Sequence, residues 1–314
     1  MSADLESDSV AILMSTFNGA LYLHDQLESL LHQTHADWVL YWRDDGSSDA
    51  TLNIMTEFAA GAGQGRCVQV PGPPRNLGPA ASFHLLLRFV ATNLEPNTVV
   101  AFADQDDVWL PNKLRRGWAA LSKTKYDLPL IYCARQILVG PGLNRIGEST
   151  LDLRHSGFPS SLIQNVATGC TVMLNGPAVR LVAASEPPAV TMHDWWCYLI
   201  VTAGGGRLLH DQEPVILYRQ HAGNLMGAPV SLLNRGAAAL WRGPRPFMST
   251  LRQNVAALLA QPQLLTDQAC GLVVRLDETL RSGVLCRLRA IWTPAFVRQT
   301  WIETVVFRYW FIFY

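Results

Sequence analysis

The sequence predicts an α/β domain on a mainly parallel sheet flanked by helices, with a helical appendage on its C-terminal side. Three observations carry this expectation. Apolar runs of strand length alternate with helical apolar spacing four times in about the first 110 residues, and parallel strands need crossover helices between them. Each run ends in a polar turn, and in such sheets ligands bind beyond the carboxyl ends of the strands. From about Thr250 to Leu280, Leu251, Val255, Leu258, Leu259, Leu272, Val273 and Leu276 keep helical spacing alone.

The first strand is the continuous apolar run Val10-Ala11-Ile12-Leu13-Met14, which stops at the turn Ser15-Thr16-Phe17-Asn18-Gly19. Leu23, Leu27, Leu30 and Leu31 then recur as a helix. Trp38 to Trp42 is a second strand ending in Arg43-Asp44-Asp45-Gly46-Ser47-Ser48-Asp49, where Asp49 or Ser48 can cap a helix carrying Ile54, Phe58 and Ala59. A glycine-rich link leads to Cys67 to Val70, the loop Arg75-Asn76-Leu77-Gly78-Pro79 and a helix from about Ala80 to Thr92. Val99 to Ala103 reads as a buried strand, and Asp104-Gln105-Asp106-Asp107 follows it, ahead of Val108-Trp109 and a helix beginning near Pro111. Carboxylates crowded at the mouth of an apolar sheet repel one another unless a divalent cation or hydrogen-bond donors compensate them. Taken alone, the triplet also fits a solvated loop in which Asp107 caps the next helix.

The middle of the chain is less regular. Leu130 to Ala134 reads as a fifth strand, Thr168-Gly169-Cys170 precedes the apolar Thr171 to Leu174, and His193-Asp194-Trp195-Trp196 opens a helix with aromatics turned inward. Val215 to Tyr218 is a further strand, leading into Arg219-Gln220-His221. Asp194 as a helix cap and His221 as an ordinary histidine are the plain readings of each residue by itself.

Composition bounds the function. With 314 residues, 49% apolar and 16% charged, the chain can bury a sizeable core and is not of disordered composition. Its net charge of zero hides an asymmetry. Residues 1–229 carry 15 Lys+Arg against 21 Asp+Glu, a net of −6, while residues 230–314 carry 10 Arg, no Lys and 4 acids, a net of +6. Two regions of different task are therefore expected, 1–229 and 230–314. Six cysteines without a Cys-x-x-Cys spacing argue against a zinc ribbon or redox pair and fit a cytoplasmic protein. Met1 to Ser9 is acidic and polar, which predicts no secretory signal, and no run reaches the roughly 20 apolar residues of a bilayer span.

Six segments, in order over about 210 residues, resemble the inverting glycosyltransferases of family 2: Ser15-Thr16-Phe17-Asn18-Gly19, Arg43 to Asp49, Asn76-Leu77-Gly78, Asp104-Gln105-Asp106-Asp107-Val108-Trp109, His193-Asp194-Trp195-Trp196 and Tyr218-Arg219-Gln220-His221. The variants Arg-Asp-Asp-Gly-Ser, Asp-Gln-Asp-Asp-Val-Trp and Tyr-Arg-Gln-His are most similar to the bacterial rhamnosyltransferase branch, whose donor is dTDP-L-rhamnose. The resemblance implies the GT-A fold, a Rossmann-like sheet for nucleotide-diphospho-sugar transfer. It also implies a set of roles. Thr16, Phe17, Asn18, Asn76 and Gly78 would line the donor site, Asp44 would accept from the imide of uracil or thymine, and Asp45 would support that loop. Asp104 would contact the ribose, and Asp106 would ligate Mg²⁺ or Mn²⁺ bridging the diphosphate. Arg219 and His221 would sit on the diphosphate or complete the metal shell. Asp194 would be the base for the acceptor hydroxyl, with His193 as a helper and Gly169, Cys170 and Trp195 on the acceptor side.

The implied partners are a nucleoside-diphosphate sugar and a glycan or lipid-linked acceptor in surface polysaccharide or glycolipid synthesis; no nucleic acid is expected. Ile291-Trp292 and Trp301 to Tyr314, dense in aromatics and punctuated by Arg298 and Arg308, suit a peripheral place on the inner face of a cytoplasmic membrane, or packing on the catalytic domain or a second subunit of a homo-oligomer. Two other functions stay open at this level. One is a non-catalytic scaffold built on a degenerate transferase domain. The other is a nucleotidyltransferase, which would want a basic glycine-rich loop after the first strand, and Ser15 to Gly19 holds neither Lys nor Arg.

Overall fold

The computed structural model describes residues 9–93, 98–123, 127–149, 153–221, 223, 243–291 and 296–314. The expected boundary at 229/230 and Trp292 lie outside the described residues. The first half alternates as read: β1 (Val10–Thr16), α1 (Leu23–Leu31), β2 (Trp38–Asp44), α2 (Thr51–Ala60), β3 (Cys67–Gln69), α3 (Pro79–Ala91) and β4 (Val99–Ala103). Strand β1 pairs with β2 and β4, and β2 with β3, all in parallel. Proline opens α3 at the position where a missing N–H costs nothing, and Gly78 before it has a φ of 77°, which glycine adopts without strain.

The second half is mixed. After β5 (Val108–Trp109) and α4 (Lys113–Ser122) come β6 (Leu130–Val139), β7 (Arg145–Glu148), α5 (Ser160–Ile163), a 3₁₀ turn at Gly169–Thr171, β8 (Met173–Leu174), α6 (Gly176–Ala183), α7 (His193–Ala203) and β9 (Arg207–Arg219). The sheet order is β3-β2-β1-β4-β8-β6-β9-β5, with β7 on β6. β8 is antiparallel to both of its neighbours, and β9 runs parallel to β6. Two elements exceed the sequence expectation. β9 begins at Arg207 rather than Val215, and the pair Val108–Trp109, assigned to no element from the sequence, is a strand antiparallel to β9 with Val108 opposite Leu217. That pairing brings the acid-rich loop after β4 beside the end of β9.

Strand alternation divides the core. Val10, Ile12 and Met14 of β1 face α1, α2 and α4, whereas Ala11 and Leu13 face α3, α6 and α7. The C-terminal helices α8 (Pro244–Leu259), α9 (Asp267–Arg281), α10 (Val284–Ala290) and α11 (Trp301–Phe313) extend the second layer. Val255, Val273, Leu276, Phe307 and Phe311 belong to one cluster with Leu162, Trp196 and Tyr198 of the preceding region. α11 starts in a capping box between Thr300 and Glu303.

Candidate active site

The loops after β1, β2, β4 and β9 meet at one edge of the sheet. The turn after β1 is strapped on two sides. Asn18 sits at a φ of 47°, its N–H donates to Ser47 Oγ (2.9 Å), and its Oδ1 accepts from Ser48 N–H (2.8 Å). On the other side Gln105 grips Phe17 reciprocally, accepting from its N–H at 2.8 Å and donating to its carbonyl at 2.9 Å. Phe17 is left with its ring 45% exposed. Thr16 is wholly buried and donates to Asp44 Oδ1 at 3.0 Å, and Asp44 Oδ2 accepts from the N–H groups of Gly46 (3.1 Å) and Ser47 (2.8 Å). Thr16 therefore positions Asp44 rather than lining open space.

Asp45 is buried against Arg43, which also donates to Ser82 Oγ (2.9 Å) and the carbonyl of Pro73 (3.1 Å). The Asp45 carboxylate accepts from the N–H groups of Leu77 and Gly78, each at 2.8 Å. Asn76 Oδ1 also accepts from the Gly78 N–H at 2.9 Å. This agrees with a loop-supporting role for Asp45, and it leaves that carboxylate no open face toward a donor.

Beyond β4, Asp104 is pushed up to about 7, first by burial and then by the charges of Asp106 and Asp194. Two acids of this loop and the acid of α7 thus share one electrostatic space. The Asp194 carboxylate is held by a backbone amide at each oxygen, Gly169 N–H at 3.0 Å and Trp195 N–H at 2.6 Å. Each oxygen keeps a second lone pair for another donor. Gly169 is needed there, since a Cβ on it would stand 3.0 Å from His193 Nε2.

Asp106 Oδ2 lies 2.9 Å from His221 Nε2, with both side chains partly exposed. His221 Nδ1 accepts from the Gly223 N–H at 3.1 Å, which puts the ring proton of the neutral imidazole on Nε2, facing Asp106. Arg219 departs from the expected diphosphate contact. It is buried, donating from Nε to the Asp106 carbonyl (2.8 Å) and from Nη2 to Asp25 (2.7 Å), with its guanidinium over the Tyr22 ring at 4.4 Å. Its own N–H donates to Asp107 Oδ1 at 3.0 Å. So placed, Arg219 shapes the acidic loop from behind.

Asp107 is correspondingly not a helix cap. It is fully buried, and burial followed by the charges of Asp106 and Asp104 raises its carboxyl well above the usual range. His193 and Cys170 also differ from the acceptor-side expectation. The His193 ring is stacked 4.2 Å from Phe83 and edge-on to Phe102, and burial lowers its pKa, so it is a neutral ring in an apolar slot. Cys170 is fully buried beneath the acids, where burial raises its thiol well above the ordinary value. Trp195 is half-buried and ties α7 to α5 through its Nε1, which donates to the Ser161 carbonyl at 2.7 Å.

Residues 11–158 match the model of glycosyl transferase family 2. The chain is 30% identical over 193 residues to the UDP-Glc:alpha-D-GlcNAc-diphosphoundecaprenol beta-1,3-glucosyltransferase WfgD of Escherichia coli, covering 61% of this chain and 69% of that protein. The chain belongs to glycosyltransferase family 2. It is thus an inverting glycosyltransferase. The dTDP-rhamnosyl transferase RfbG of Shigella flexneri is 26% identical over 226 residues, 69% of this chain and 75% of that protein. Staphylococcus aureus TarS residues 1–349, solved with UDP-GlcNAc, superposes with a TM-score of 0.52 at 14% identity, covering 96% of this chain and 90% of that one. The fold is accordingly GT-A.

GT-A transferases typically use a divalent metal. Asp106 Oδ2 and His221 Nε2 stand at hydrogen-bond distance, and with the ring proton between them Nε2 offers a lone pair to a metal only once that proton has left. A carboxylate oxygen suits Mg²⁺ or Mn²⁺, whereas an imidazole nitrogen suits softer ions better. Ligand atoms of Asp104, Asp107 and Cys170 also lie within 4.8 Å of one another. That trio already has an amine beside it. Lys113, fully buried, donates from Nζ to the Cys170 carbonyl at 2.6 Å and lies 3.1 Å from the Trp109 ring, with its charge felt by Asp104. A protonated thiol in a closed pocket is a poor ligand for a hard ion.

Gln105, Lys113, Tyr22 and Asp25 are parts of the site that sequence reasoning missed. Only Gln105, inside the acidic motif, carried a sequence signal. The others reach the site through β5 and β9, whose pairing was not legible.

Proposed function

We propose that this family 2 transferase moves L-rhamnose from dTDP-L-rhamnose to a hydroxyl of a glycan or lipid-linked acceptor in surface polysaccharide or glycolipid synthesis. The observation that carries the mechanism is the facing of Asp194 and the Asp104–Asp106 loop across the sheet edge. In this reading the exposed ring of Phe17 stacks on the base, Asp44 and the backbone of residues 16–18 meet its polar edge, and Asn76 and Gly78 border the donor. Asp104 takes the ribose hydroxyls, while Asp106 and His221 hold Mg²⁺ or Mn²⁺. Arg219 acts as a positioning residue for Asp106. When bound, the cation neutralises charge on the departing nucleoside diphosphate.

Asp194 accepts the proton of the acceptor hydroxyl as that oxygen bonds to the anomeric carbon on the face opposite the diphosphate. The carbon–oxygen bond to the diphosphate breaks with its electron pair, and the configuration inverts in one displacement. No covalent nucleophile is needed. A lipid-linked acceptor would be met at a membrane, so the protein would work there peripherally. The rhamnose assignment is supported by the resemblance to RfbG. A second reading, UDP-glucose as donor, is supported by WfgD at higher identity over a shorter stretch.

A panel of dTDP-, UDP- and GDP-sugars with Mn²⁺ and a lipid-like acceptor tests this, with transfer fastest from dTDP-L-rhamnose. Transfer from none of them would sink the proposal, and a preference for UDP-glucose would select the second reading. Asp194→Asn should abolish transfer while leaving donor affinity within about twofold, because the amide keeps the shape but cannot take the proton.

A further inference from the structure

Helix α11 buries Phe307, Trp310 and Phe311 against α8, yet its opposite side is apolar as well. Trp301 (75% exposed), Ile302, Val305, Tyr309 and Phe313 (58%) lie on one side of it, within an arc of about 120° that also holds the buried Ile312. A helix apolar all round is normally enclosed on all sides. No helix among the described residues is long and apolar enough to cross a membrane, so α11 can only lie along one. The neighbouring α10 also turns Leu285, 77% exposed, outward.

Charge complementarity selects what covers this face. Residues 230–314 carry a net of +6. At the foot of α11 an open recess of about 340 Å³ is lined by Arg245, Met248, Ser249, Arg252, Gln253 and Tyr314, with no Asp or Glu among them. Arg252 donates to the Tyr314 carbonyl, and its charge reaches Arg287 of α10, where it and burial lower that guanidinium's pKa. Like charges gathered beside an aromatic face favour an anionic surface over a second copy of the same basic region. Of the two cations the sequence suggested, Arg298 is half-buried with its guanidinium over the Phe247 ring.

We propose that the outward face of α11 and the arginine-lined recess beside it dock the protein onto an anionic phospholipid bilayer, the aromatics at headgroup depth and Arg245 and Arg252 on lipid phosphates. The purpose of this docking rests on the transferase reading above; the docking itself does not, and it is measured without donor or turnover. The full chain is sedimented with vesicles of phosphatidylcholine alone and of phosphatidylcholine with phosphatidylglycerol. Binding should require phosphatidylglycerol and weaken as salt rises. Val305→Glu/Tyr309→Glu and, separately, Arg245→Glu/Arg252→Glu should each weaken it about tenfold or more. All four positions are exposed, so melting temperature and transfer to a soluble acceptor should stay unchanged. Absence of binding by the unaltered protein, equal binding by both variants, or a dimer in sedimentation velocity that Val305→Glu/Tyr309→Glu dissociates would overturn the proposal, the last by showing that a second copy covers the face.

Discussion

At Asp104 the folded protein holds a proton that the unfolded chain would have released. The ordinary carboxyl value is 3.8, and in the fold burial and the acids Asp106 and Asp194 raise it to about 7. Between these values the folded state binds more protons, so stability is greatest below the lower value and falls as pH rises toward the upper one. One such group contributes a slope of at most about 1.4 kcal/mol per pH unit. Asp107, raised by burial, acts in the same direction, while Lys113, lowered by burial to about 7, acts only above that pH and oppositely. Urea unfolding of chelator-treated protein should therefore show stability declining from about pH 4 to about pH 7, and Asp104→Asn should flatten part of that decline; an unchanged slope would contradict it. Arg43 illustrates the other kind of buried charge. Removing it as Arg43→Met strands Asp45 without its partner, which should cost about 3–5 kcal/mol in the same measurement.

Among the elements, β5 and β9 decide the site. β9, thirteen residues long, pairs with β6 in parallel and, at its far end, with β5. The first half of β9 reads as polar, His210-Asp211-Gln212-Glu213, and so escaped the strand pattern. It is a strand because Asp211 is satisfied in place, by Arg116 of α4 through two bonds of 2.7 Å and by the Tyr132 hydroxyl of β6 at 2.8 Å. The entry to β9 is tight. A Cβ on Gly206 would stand 2.4 Å from the Pro129 carbonyl oxygen, a backbone atom that cannot step aside. Gly206→Ala should therefore destabilise by about 1–3 kcal/mol through overpacking, read as a lower urea midpoint at unchanged m-value. It should also reduce donor affinity, because β9 ends in Arg219 and leads directly into His221.

For the whole molecule, the C-terminal helices are read from sequence as a region with its own task, and their charge supports that. Their packing ties them to the rest. Phe307 is fully buried in a cluster that also holds Trp196, Tyr198 and Leu162. Phe307→Ala should cost about 3–5 kcal/mol and lower a single cooperative unfolding transition, monitored by calorimetry and by tryptophan fluorescence. A separate early transition, leaving the main one in place, would instead establish 230–314 as an independent folding unit.

The division between what was legible and what was not follows sequence distance. Val10 to Met14 and Val99 to Ala103 announce strands because each is buried on both faces and must be apolar throughout, and Trp38 to Trp42 because one face is buried and the other half-buried. The polar turns that end them announce a ligand edge for the same reason, and in this way the sequence by itself determined the fold class, the family and the candidate acids Asp44, Asp104, Asp106 and Asp194. Only the tertiary structure decided which polar groups face outward. Arg219, His193 and Cys170 look like site residues in the chain. They are turned inward because Asp25 and the Asp106 carbonyl, the rings of Phe83 and Phe102, and Lys113 are waiting there. Such partners stand up to 194 residues away, and pairing over that range is set by strand order and burial, which no local pattern encodes.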